Sequence, residues 1–338
     1  MTHPTILTII LNYCTPELTL RATEAALREM QDLPGEVVIV DNCSGDGSFE
    51  TLTHAAQTRG WLDDAPLRVI QSPRNGGFGA GMNFGMAAGL SDGSQPDYYY
   101  LLNSDAFPEP QAIRHLRDFL TTTPKAGMVG SYVRGVDGTP HATAFRFPSI
   151  AGEFESAART GVISRLLKAS IVALPIPTSE LQVDWTAGAS LMIRRQMIES
   201  IGNFDETFFL YFEETDLCRR AARAGWHTHY LPVSEVQHVG SASTGMNDWA
   251  RVPSYWLDSR LHYFCKNHGR LYAAAATLAL WAGGMIWQLR RLISNKPRRD
   301  PPRFLRDLII HALRRALPVA RRAPRDPHLT DVLPEDLK

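Results

Sequence analysis

Residues 36–48 read EVVIVDNCSGDGS, an apolar run that ends abruptly at the polar pair Asp41-Asn42. Four apolar residues, Val37–Val40, bounded by turn-forming residues are typical of a buried strand. Similar runs occur at Ile6–Leu11, Leu67–Ile70 and Tyr98–Leu102. A helical pattern lies between the first two of the four runs. This alternation predicts an α/β fold with a mostly parallel central sheet flanked by helices.

Every predicted strand of this half ends in polar or turn-forming residues. Asn12 follows the first strand, Asp41-Asn42 the second, Arg74-Asn75-Gly76 the third and Asn103-Ser104-Asp105 the fourth. In sheets of this kind, ligands bind where the carboxyl ends of the strands meet the following loops. The layout therefore predicts a nucleotide site at this edge of the sheet.

A glycine-rich stretch, NGGFGAGMNFG at residues 75–85, follows the third predicted strand. Glycines allow the backbone to approach a ligand closely, although a tight turn entering a helix would have the same composition. The spacing is not GxGxxG, and no lysine completes a phosphate-binding loop. The stretch therefore argues against a dinucleotide fingerprint.

Three acidic residues, Glu213, Glu214 and Asp216, directly follow the aromatic run at 208–212. A carboxylate beside apolar rings can have its pKa raised toward the range that is useful for a general base. The alternative is that a helix begins near Glu214 and that the acids only interact favourably with the positive end of its dipole. The aromatic residues favour the catalytic interpretation, because a solvated helix cap does not need them.

Asp105 and His238 are the candidate ligands of a divalent cation. Mg²⁺ and Mn²⁺ prefer oxygen ligands, and Mn²⁺ also accepts imidazole. The carboxylate of Asp105 is expected to face the crevice from the end of the fourth strand. His238 follows another short predicted strand, although a lone histidine is usually structural.

The formal net charge of zero conceals a basic C-terminal block. Residues 290–325 contain twelve Lys or Arg and two acids, which indicates an anionic partner. Leu271–Leu289 carries no charge but only just reaches the length of a membrane span, so a buried or interfacial helix is expected. Residues 304–317 form a basic amphipathic pattern, which fits either a bilayer surface or a helix packed on the main domain.

The four cysteines lie far apart without a CxxC pair, which argues against a disulfide framework or a zinc knuckle. The N-terminus begins directly with a strand-like run, so we expect no cleaved leader. These features fit a reducing cytoplasm.

Taken together, these motifs resemble the family 2 glycosyltransferases with the GT-A fold, particularly the rhamnosyltransferase-like branch that builds bacterial cell-surface polysaccharides. The resemblance covers about residues 5–270. It is carried by five segments in the family's order: VIVDN with SGDGS at 38–48, NGGFGAGMN at 75–83, LNSD at 102–105, FLYFEETDLCR at 209–219 and HVGS at 238–241.

The resemblance implies a donor pocket for a nucleoside-diphosphate sugar, a UDP- or dTDP-sugar. Asp41 would contact the nucleoside, and Trp185 would form a wall of the sugar pocket unless it is a core tryptophan. The predicted donor-binding residues are Asn12, Asp41, Asn42, Arg74, Asn75, Gly76, Gly79, Asn83, Asn103, Ser104 and Trp185.

The resemblance also implies a metal-dependent, inverting mechanism. Asp105 matches the last acid of the family's DxD motif, whereas Asn103 replaces the first acid. The cation, Mn²⁺ or Mg²⁺, would therefore rest on Asp105, the diphosphate, water and His238. Glu214 would be the catalytic base, with Glu213 as the other candidate and Asp216 completing the cluster.

We expect a glycosyltransferase domain at residues 1–265 and a helical, basic extension at 266–338. The acceptor would be a hydroxyl of a glycan or a lipid-linked saccharide, and no nucleic-acid partner is expected. The enzyme would be cytoplasmic, and a peripheral contact with the inner membrane and the oligomeric state stay open. The alternatives are a catalytically silent glycan-binding or assembly subunit and a sugar nucleotidyltransferase. A nucleotidyltransferase would need basic residues to bind a triphosphate, and residues 12–20 contain no lysine or arginine.

Overall fold

The computed structural model describes residues 3–63, 66–240, 249–294, 297 and 300–316. The strands in these residues are β1 (Ile6–Asn12), β2 (Gly35–Asp41), β3 (Leu67–Gln71), β4 (Tyr98–Asn103), β5 (Ala106–Pro108), β6 (Ala126–Arg134), β7 (Pro140–His141), β8 (Ala144–Phe145), β9 (Leu181–Val183), β10 (Trp185–Thr186), β11 (Ser190–Arg194) and β12 (His227–His238). All four predicted strands of the first half are present.

The helices alternate with the strands in the first half and dominate the C-terminal part. They are α1 (Pro16–Met30), α2 (Ser48–Thr58), α3 (Gly77–Ala87), α4 (Ala112–Thr122), α5 (Ile150–Ala158), α6 (Gly161–Leu166), α7 (Arg195–Ile201), α8 (Glu213–Arg223), α9 (Ser254–His268), α10 (Arg270–Ser294) and α11 (Phe304–Ala316), with a 3-10 turn at Lys168–Ser170.

The central sheet has the strand order β3-β2-β1-β4-β11-β6-β12-β5, with β7 beside β6 and β9 beside β12. Strands β3, β2, β1 and β4 are parallel, as are β6 and β12. Strand β11 runs antiparallel between β4 and β6, and β5 runs antiparallel to β12. Strands β8 and β10 form a separate two-stranded sheet. The predicted mostly parallel α/β fold is confirmed.

Strands β1, β2 and β4 are apolar at most positions because helices cover both faces of this part of the sheet. Ile6, Ile10 and Ile39 point to one face, where they pack with residues of α1, α2 and α4. Val38 and Val40 point to the other face and pack with residues of α3, α7 and α8. The polar residues Asn12, Asp41 and Asn103 at the strand ends lie outside these two cores.

The C-terminal helices pack on the rest of the protein. Gly283 lets α10 lie close to α5, since a Cβ there would be 2.5 Å from the Phe154 carbonyl oxygen. Leu305 and Leu308 of α11 are buried, which favours the packed interpretation of that helix. The expected domain boundary at residue 265 falls within α9. Residues 317–338, including the end of the basic block, lie outside the described residues.

No helix in the described ranges combines the length and the apolarity needed to cross a lipid bilayer.

Gly77 joins the glycine-rich stretch to the loop that precedes α8. It has φ +85°, and the neighbouring Phe78 amide donates a hydrogen bond of 3.0 Å to the Phe209 carbonyl. A Cβ on Gly77 would lie 1.7 Å from that same carbonyl oxygen. Because Gly77 has no side chain, the loop after β3 can contact the loop that precedes α8.

We expect Gly77→Ala to lower the free energy of unfolding more than Gly93→Ala does. Gly93 has a similar φ of +82° but nothing within 4 Å of its Cβ position. Gly93→Ala therefore measures only the cost of placing a residue with a Cβ at positive φ. That cost is about 1–2 kcal/mol, and the clash at Gly77 should add roughly 1–3 kcal/mol. Urea unfolding of both variants measures the difference, and equal losses would contradict the predicted close approach.

Candidate active site

Asp41 ends β2 in a buried hydrogen-bond network. Its Oδ1 accepts a bond from Asn12 Nδ2 (2.8 Å) and another from the Ser44 hydroxyl. Its Oδ2 accepts bonds from Gln71 Nε2 (3.0 Å) and the Ser44 amide (3.2 Å). Thr19 in turn donates to Asn12 Oδ1 (2.7 Å). The ends of β1, β2 and β3 therefore meet at one carboxylate, and Gln71 was not predicted to be part of this site.

Asn42 and Asn75 tie the loops after β2 and β3 together. Asn42 Nδ2 donates to Asn75 Oδ1 (3.0 Å) and to the Gly77 carbonyl (3.2 Å). The Gly77 amide donates to the same Asn75 oxygen (3.0 Å). The two predicted donor-binding loops thus share one edge of the pocket.

Asn83 and Arg74 hold a loop that the sequence did not connect with the site. Asn83 Nδ2 donates to the Phe204 carbonyl (3.0 Å) and to Glu206 Oε1 (3.1 Å), while Asn83 Oδ1 accepts from the Phe204 amide (3.0 Å). Arg74 pairs with Glu206 Oε2 at 2.7 Å. Both polar atoms of Asn83 are occupied, so this residue positions the 204–206 loop.

Three further predicted residues lie in tight surroundings at the same edge. A Cβ on Gly76 would be 2.9 Å from Arg74 Nη1, and one on Gly79 would be 3.0 Å from Phe204 Cβ. Ser104 is buried, and its hydroxyl lies 3.1 Å from that of Thr15. The two glycines thus permit close packing here.

Asp105 and His238 lie side by side at the ends of β4 and β12. His238 Nε2 is 3.0 Å from Asp105 Oδ1 and 3.4 Å from Asn103 Nδ2. The Gly240 amide donates to Asp105 Oδ2 (3.0 Å). Burial raises the pKa of Asp105, but the hydrogen bond and charge of His238 and the backbone amides outweigh burial and lower that pKa below its ordinary value. Asp105 is therefore a carboxylate at neutral pH.

This oxygen and nitrogen donor set fits a cation such as Mn²⁺ that takes further ligands from a substrate. Within the described residues, no group of three or more His, Cys, Asp or Glu side chains could hold a metal. Ser241, in the last of the family-like segments, is outside those residues.

Glu213 and Glu214 begin α8 after two residues in the left-handed region, Tyr211 (φ +69°) and Phe212 (φ +70°). Such backbone strain in non-glycine residues is concentrated at functional sites. Glu213 is 3 % exposed, whereas Glu214 is half-buried. Glu214 is thus the more exposed of the two side chains, although its Oε2, like that of Glu213, is buried without a hydrogen-bond partner.

The pKa values of both glutamates are raised. Burial is the main cause for Glu213, and the neighbouring Glu214 charge adds to it. Burial also raises the pKa of Glu214, and backbone amides, including that of Gly188, offset part of the rise. A carboxylate with a raised pKa is a stronger base, which suits Glu214 to proton abstraction.

The Glu214 end of α8 is tied to the end of β4 through residues 188–189. The Asn103 amide donates to the Ala189 carbonyl (3.1 Å), and the backbone of the adjacent Gly188 is close enough to Glu214 to lower the pKa of that carboxyl. A Cβ on Gly188 would lie 4.0 Å from Glu214 Oε1. The end of β4, just before Asp105, and the start of α8 at Glu214 therefore both lie against the 188–189 turn.

Asp216 faces α9 with both oxygens occupied. Its Oδ2 pairs with Lys266 Nζ (2.7 Å) and Arg220 Nε (2.9 Å), and its Oδ1 accepts from Asn267 Nδ2 (2.9 Å). The side chain is fully buried. Asp216 belongs to the predicted acidic cluster, but these contacts join α8 to α9 and leave no free proton acceptor.

Trp185 lies three residues before Gly188. Its ring stacks on Phe145 at a centroid distance of 4.1 Å, and its indole N–H donates to the Arg146 carbonyl (2.9 Å). The side chain is half-buried and also packs against one of the two main cores. Both interpretations, a wall of the pocket and a core residue, agree with this placement.

Glu213→Gln should make the protein more stable at alkaline pH. Below the pKa of the unfolded chain, Glu213 is neutral in both states and costs nothing. Above it, the unfolded chain releases the proton that the folded protein retains, so wild-type stability falls until the pH passes the raised folded pKa. We expect the variant's advantage to grow as the pH rises above the ordinary glutamate range.

Urea unfolding over this pH range measures this advantage, and Glu50→Gln on the exposed side of α2 is the control. An advantage that does not change with pH would show that Glu213 is ionised in the folded protein.

A mostly parallel α/β sheet with hydrogen-bonded polar loops at its strand ends, an Asp–His pair and a buried glutamate pair fits the GT-A class of transferases. In agreement, residues 3–252 match the model of the family described as "Glycosyltransferase like family 2". The chain belongs to this family and is a glycosyltransferase.

Two curated relatives transfer rhamnose by name. The chain is 26 % identical over 275 residues to N-acetylglucosaminyl-diphospho-decaprenol L-rhamnosyltransferase of Mycobacterium tuberculosis, covering 79 % of this chain and 83 % of the relative. It is 37 % identical over 60 residues to rhamnosyltransferase WbbL of Escherichia coli, covering 18 % of this chain and 23 % of that one. The family and these names agree with the rhamnosyltransferase-like branch that the motifs resemble.

Solved structures share the fold at low sequence identity. The mannosyltransferase PcManGT of Pyrobaculum calidifontis, solved with GDP-Man and Mn²⁺, matches with a TM-score of 0.53 and 14 % identity, covering 93 % of this chain and 87 % of that chain. The GT-A fold predicted from the motifs is confirmed.

Proposed function

We propose that this glycosyltransferase acts with inversion, moving a sugar from a nucleoside-diphosphate donor to a hydroxyl of a lipid-linked saccharide or glycan in cell-surface polysaccharide synthesis. The approach of both the end of β4 and Glu214 to the 188–189 turn carries this proposal. In it, Glu214 acts from one side of the donor sugar and the Asp105–His238 pair holds the diphosphate on the other. That is the arrangement needed to attack a sugar carbon from the side opposite its leaving diphosphate.

Glu214 accepts the proton of the acceptor hydroxyl as that oxygen bonds to the anomeric carbon. The bond from the anomeric carbon to the diphosphate oxygen breaks with its electron pair remaining on the diphosphate. Asp105 and His238 would hold a divalent cation, Mn²⁺ before Mg²⁺, which when bound neutralises the charge on the diphosphate. Asp41, Asn42 and the 75–85 stretch form the donor side of the pocket.

Asp216 and Asn83 are positioning residues in this scheme. Asp216 fixes the start of α8 to α9 through Lys266, and Asn83 fixes the 204–206 loop against α3. Trp185 stands beside the Gly188 turn and forms the wall nearest the sugar. We assign no proton-transfer role to Asp216, because its oxygens already pair with two cations.

The names of the relatives support a deoxyhexose, rhamnose, as the transferred sugar and a polyprenyl-diphosphate-linked saccharide as the acceptor. A UDP- or dTDP-sugar is the proposed donor, and the cytoplasm is the proposed compartment.

A thermal-shift screen tests this proposal. UDP-, dTDP- and GDP-sugars are added with and without Mn²⁺, and a ligand that binds the folded state raises Tm according to its affinity. The donor that gives the largest shift is then assayed for nucleoside diphosphate release. A catalytically silent subunit would release none, and a nucleotidyltransferase would instead consume a nucleoside triphosphate. Either result would overturn the proposed transfer reaction.

A further inference from the structure

The outward face of α10 is apolar along nearly its entire length. Between its end residues Arg270 and Ser294, which are also exposed, the exposed residues of α10 recur mostly at a spacing of three or four: Leu271, Ala274, Leu278, Trp281, Met285, Gln288, Leu289, Leu292 and Ile293. Gln288 is the one polar residue among them, and Leu271 is 90 % exposed. The 25-residue helix is about 37 Å long. The exposed side of a helix in contact with water is normally polar, so this side has the composition of one that is covered.

The opposite side of α10 is already packed. Ala273, Ala276 and Gly283 are buried, and Gly283 is in close contact with the Phe154 backbone of α5. Leu305 of α11 lies against Gly284. The helix cannot rotate its apolar side inward without losing these contacts.

A groove of about 410 Å³ between α10 and α11 extends the apolar side. It is lined by Leu278, Trp281, Leu305, Arg306, Ile309 and Ile310. Leu313, one turn beyond Ile310, is 59 % exposed. We name this surface, the outward side of α10 with its groove, the α10 face.

Basic residues border the α10 face. Among the described residues of 270–316 there are seven arginines, no lysine and two acids. Both acids are paired: Asp300 with Arg159 (2.7 Å), and Asp307 with Arg251 (2.7 Å) and Arg306 (3.2 Å). The arginines of α10 lie only at its ends, at Arg270 and at Arg290-Arg291. The face is therefore apolar in its middle and positively charged at its border.

We propose that the α10 face docks onto the surface of an anionic lipid bilayer, with α10 lying in the plane of the interface. No described helix could span the bilayer, and an apolar helix side with a basic border is the pattern of interfacial binding. A symmetric dimer through this face would instead bring the two arginine borders together, which opposes association.

This inference rests on the proposed function in one respect, since the lipid-linked acceptor would lie in the same bilayer. Only Gly269 separates α9 from α10, and Lys266 of α9 pairs with Asp216 at 2.7 Å. Asp216 lies two residues after Glu214. Docking of α10 would thus hold the base in a fixed orientation above the membrane.

Co-sedimentation of the full chain with vesicles tests the proposal. We expect binding to vesicles of phosphatidylglycerol and phosphatidylcholine, and weaker binding to phosphatidylcholine alone. Leu278→Glu/Leu289→Glu, at residues 59 % and 57 % exposed, should lower the partition coefficient at least about tenfold. The matched control is Val136→Glu/Val233→Glu, at residues 59 % and 61 % exposed elsewhere, which should bind as wild type does.

A second pair, Leu271→Glu/Leu292→Glu, changes residues that are 90 % and 73 % exposed and so are least involved in folding. Thermal melting verifies that each variant is folded. The proposal fails if wild type stays in the supernatant, as it would if the tail beyond residue 316 covered the face. It also fails if both leucine pairs sediment like wild type, or if light scattering shows a dimer that they dissociate.

Release of nucleoside diphosphate from the donor in solution, without vesicles, is measured on the same samples. If the donor is hydrolysed but the protein does not bind vesicles, the membrane proposal is wrong and the proposed function stands. If the protein binds vesicles but does not hydrolyse the donor, the proposed function is wrong and the membrane proposal stands.

Discussion

Glu214→Gln is expected to lower kcat about a thousandfold or more, the effect of removing a positioned general base, while the Kd of the donor stays nearly unchanged. The amide has the shape of the carboxylic acid but cannot accept the acceptor's proton. The proposed donor-binding residues lie at the ends of β1 to β4, and the hydrogen bonds of Asp41 and Asn42 do not involve the Glu214 side chain. Single-turnover transfer and donor titration measure the two quantities separately.

The pH profile adds a second signature of the base. Because the pKa of Glu214 is raised, wild-type kcat/KM should increase with pH through an ionisation above the ordinary glutamate range. The residual activity of Glu214→Gln should lack that ionisation. Glu213→Gln is the matched control, since it removes the adjacent, more buried carboxyl and should retain most of the activity. If Glu213→Gln were the inactive variant, the assignment of the base would be reversed.

Asp105→Ala should weaken Mn²⁺-dependent donor binding by about a hundredfold, at least the loss that follows removal of a residue supporting a metal ligand. Asn103 already replaces one acid of the usual pair, so Asp105 supplies the carboxylate charge in the Asp105–His238 pair. The change also removes the hydrogen-bond partners of His238 Nε2 and the Gly240 amide. Calorimetric titration of the nucleoside diphosphate with and without Mn²⁺ separates the metal-dependent part of the affinity.

Asp137→Ala, in an exposed turn after β6, is the control for loss of an acidic residue. His238→Ala should weaken the same Mn²⁺-dependent binding by a smaller factor, because the carboxylate charge remains. Unchanged binding in Asp105→Ala would place the cation elsewhere or exclude it from donor binding.

The parts of the fold and site that depend on local pattern could be predicted from the sequence. Val37–Val40 is apolar throughout because both faces of β2 are covered, and the polar residues that follow each strand meet at one edge. The residues that were missed act over long sequence distances. Glu206 reaches Asn83 and Arg74 across more than a hundred residues, and nothing in its neighbourhood indicates this.

Asp216 illustrates the same limit in the acidic cluster. Asp216 belongs to the acidic cluster in the sequence, but positions i and i+2 of a helix do not face each other. Two of its three partners come from α9, about fifty residues later. The role of a carboxylate depends on which basic side chains pair with it, and helix packing determines which side chains these are. Gln71, in contrast, could have been predicted, because it lies at the end of β3, where the other strands also carry polar residues.

The placement of β11 has a consequence for how the chain acquires its structure. This strand is inserted between β4 and β6, so the centre of the sheet is complete only after residues 190–194 have been synthesised. Until then β4, with its buried Tyr100 and Leu102, presents an open hydrogen-bonding edge. Such non-local pairing slows folding and leaves a nascent chain prone to association. A fragment ending before residue 190 should therefore aggregate.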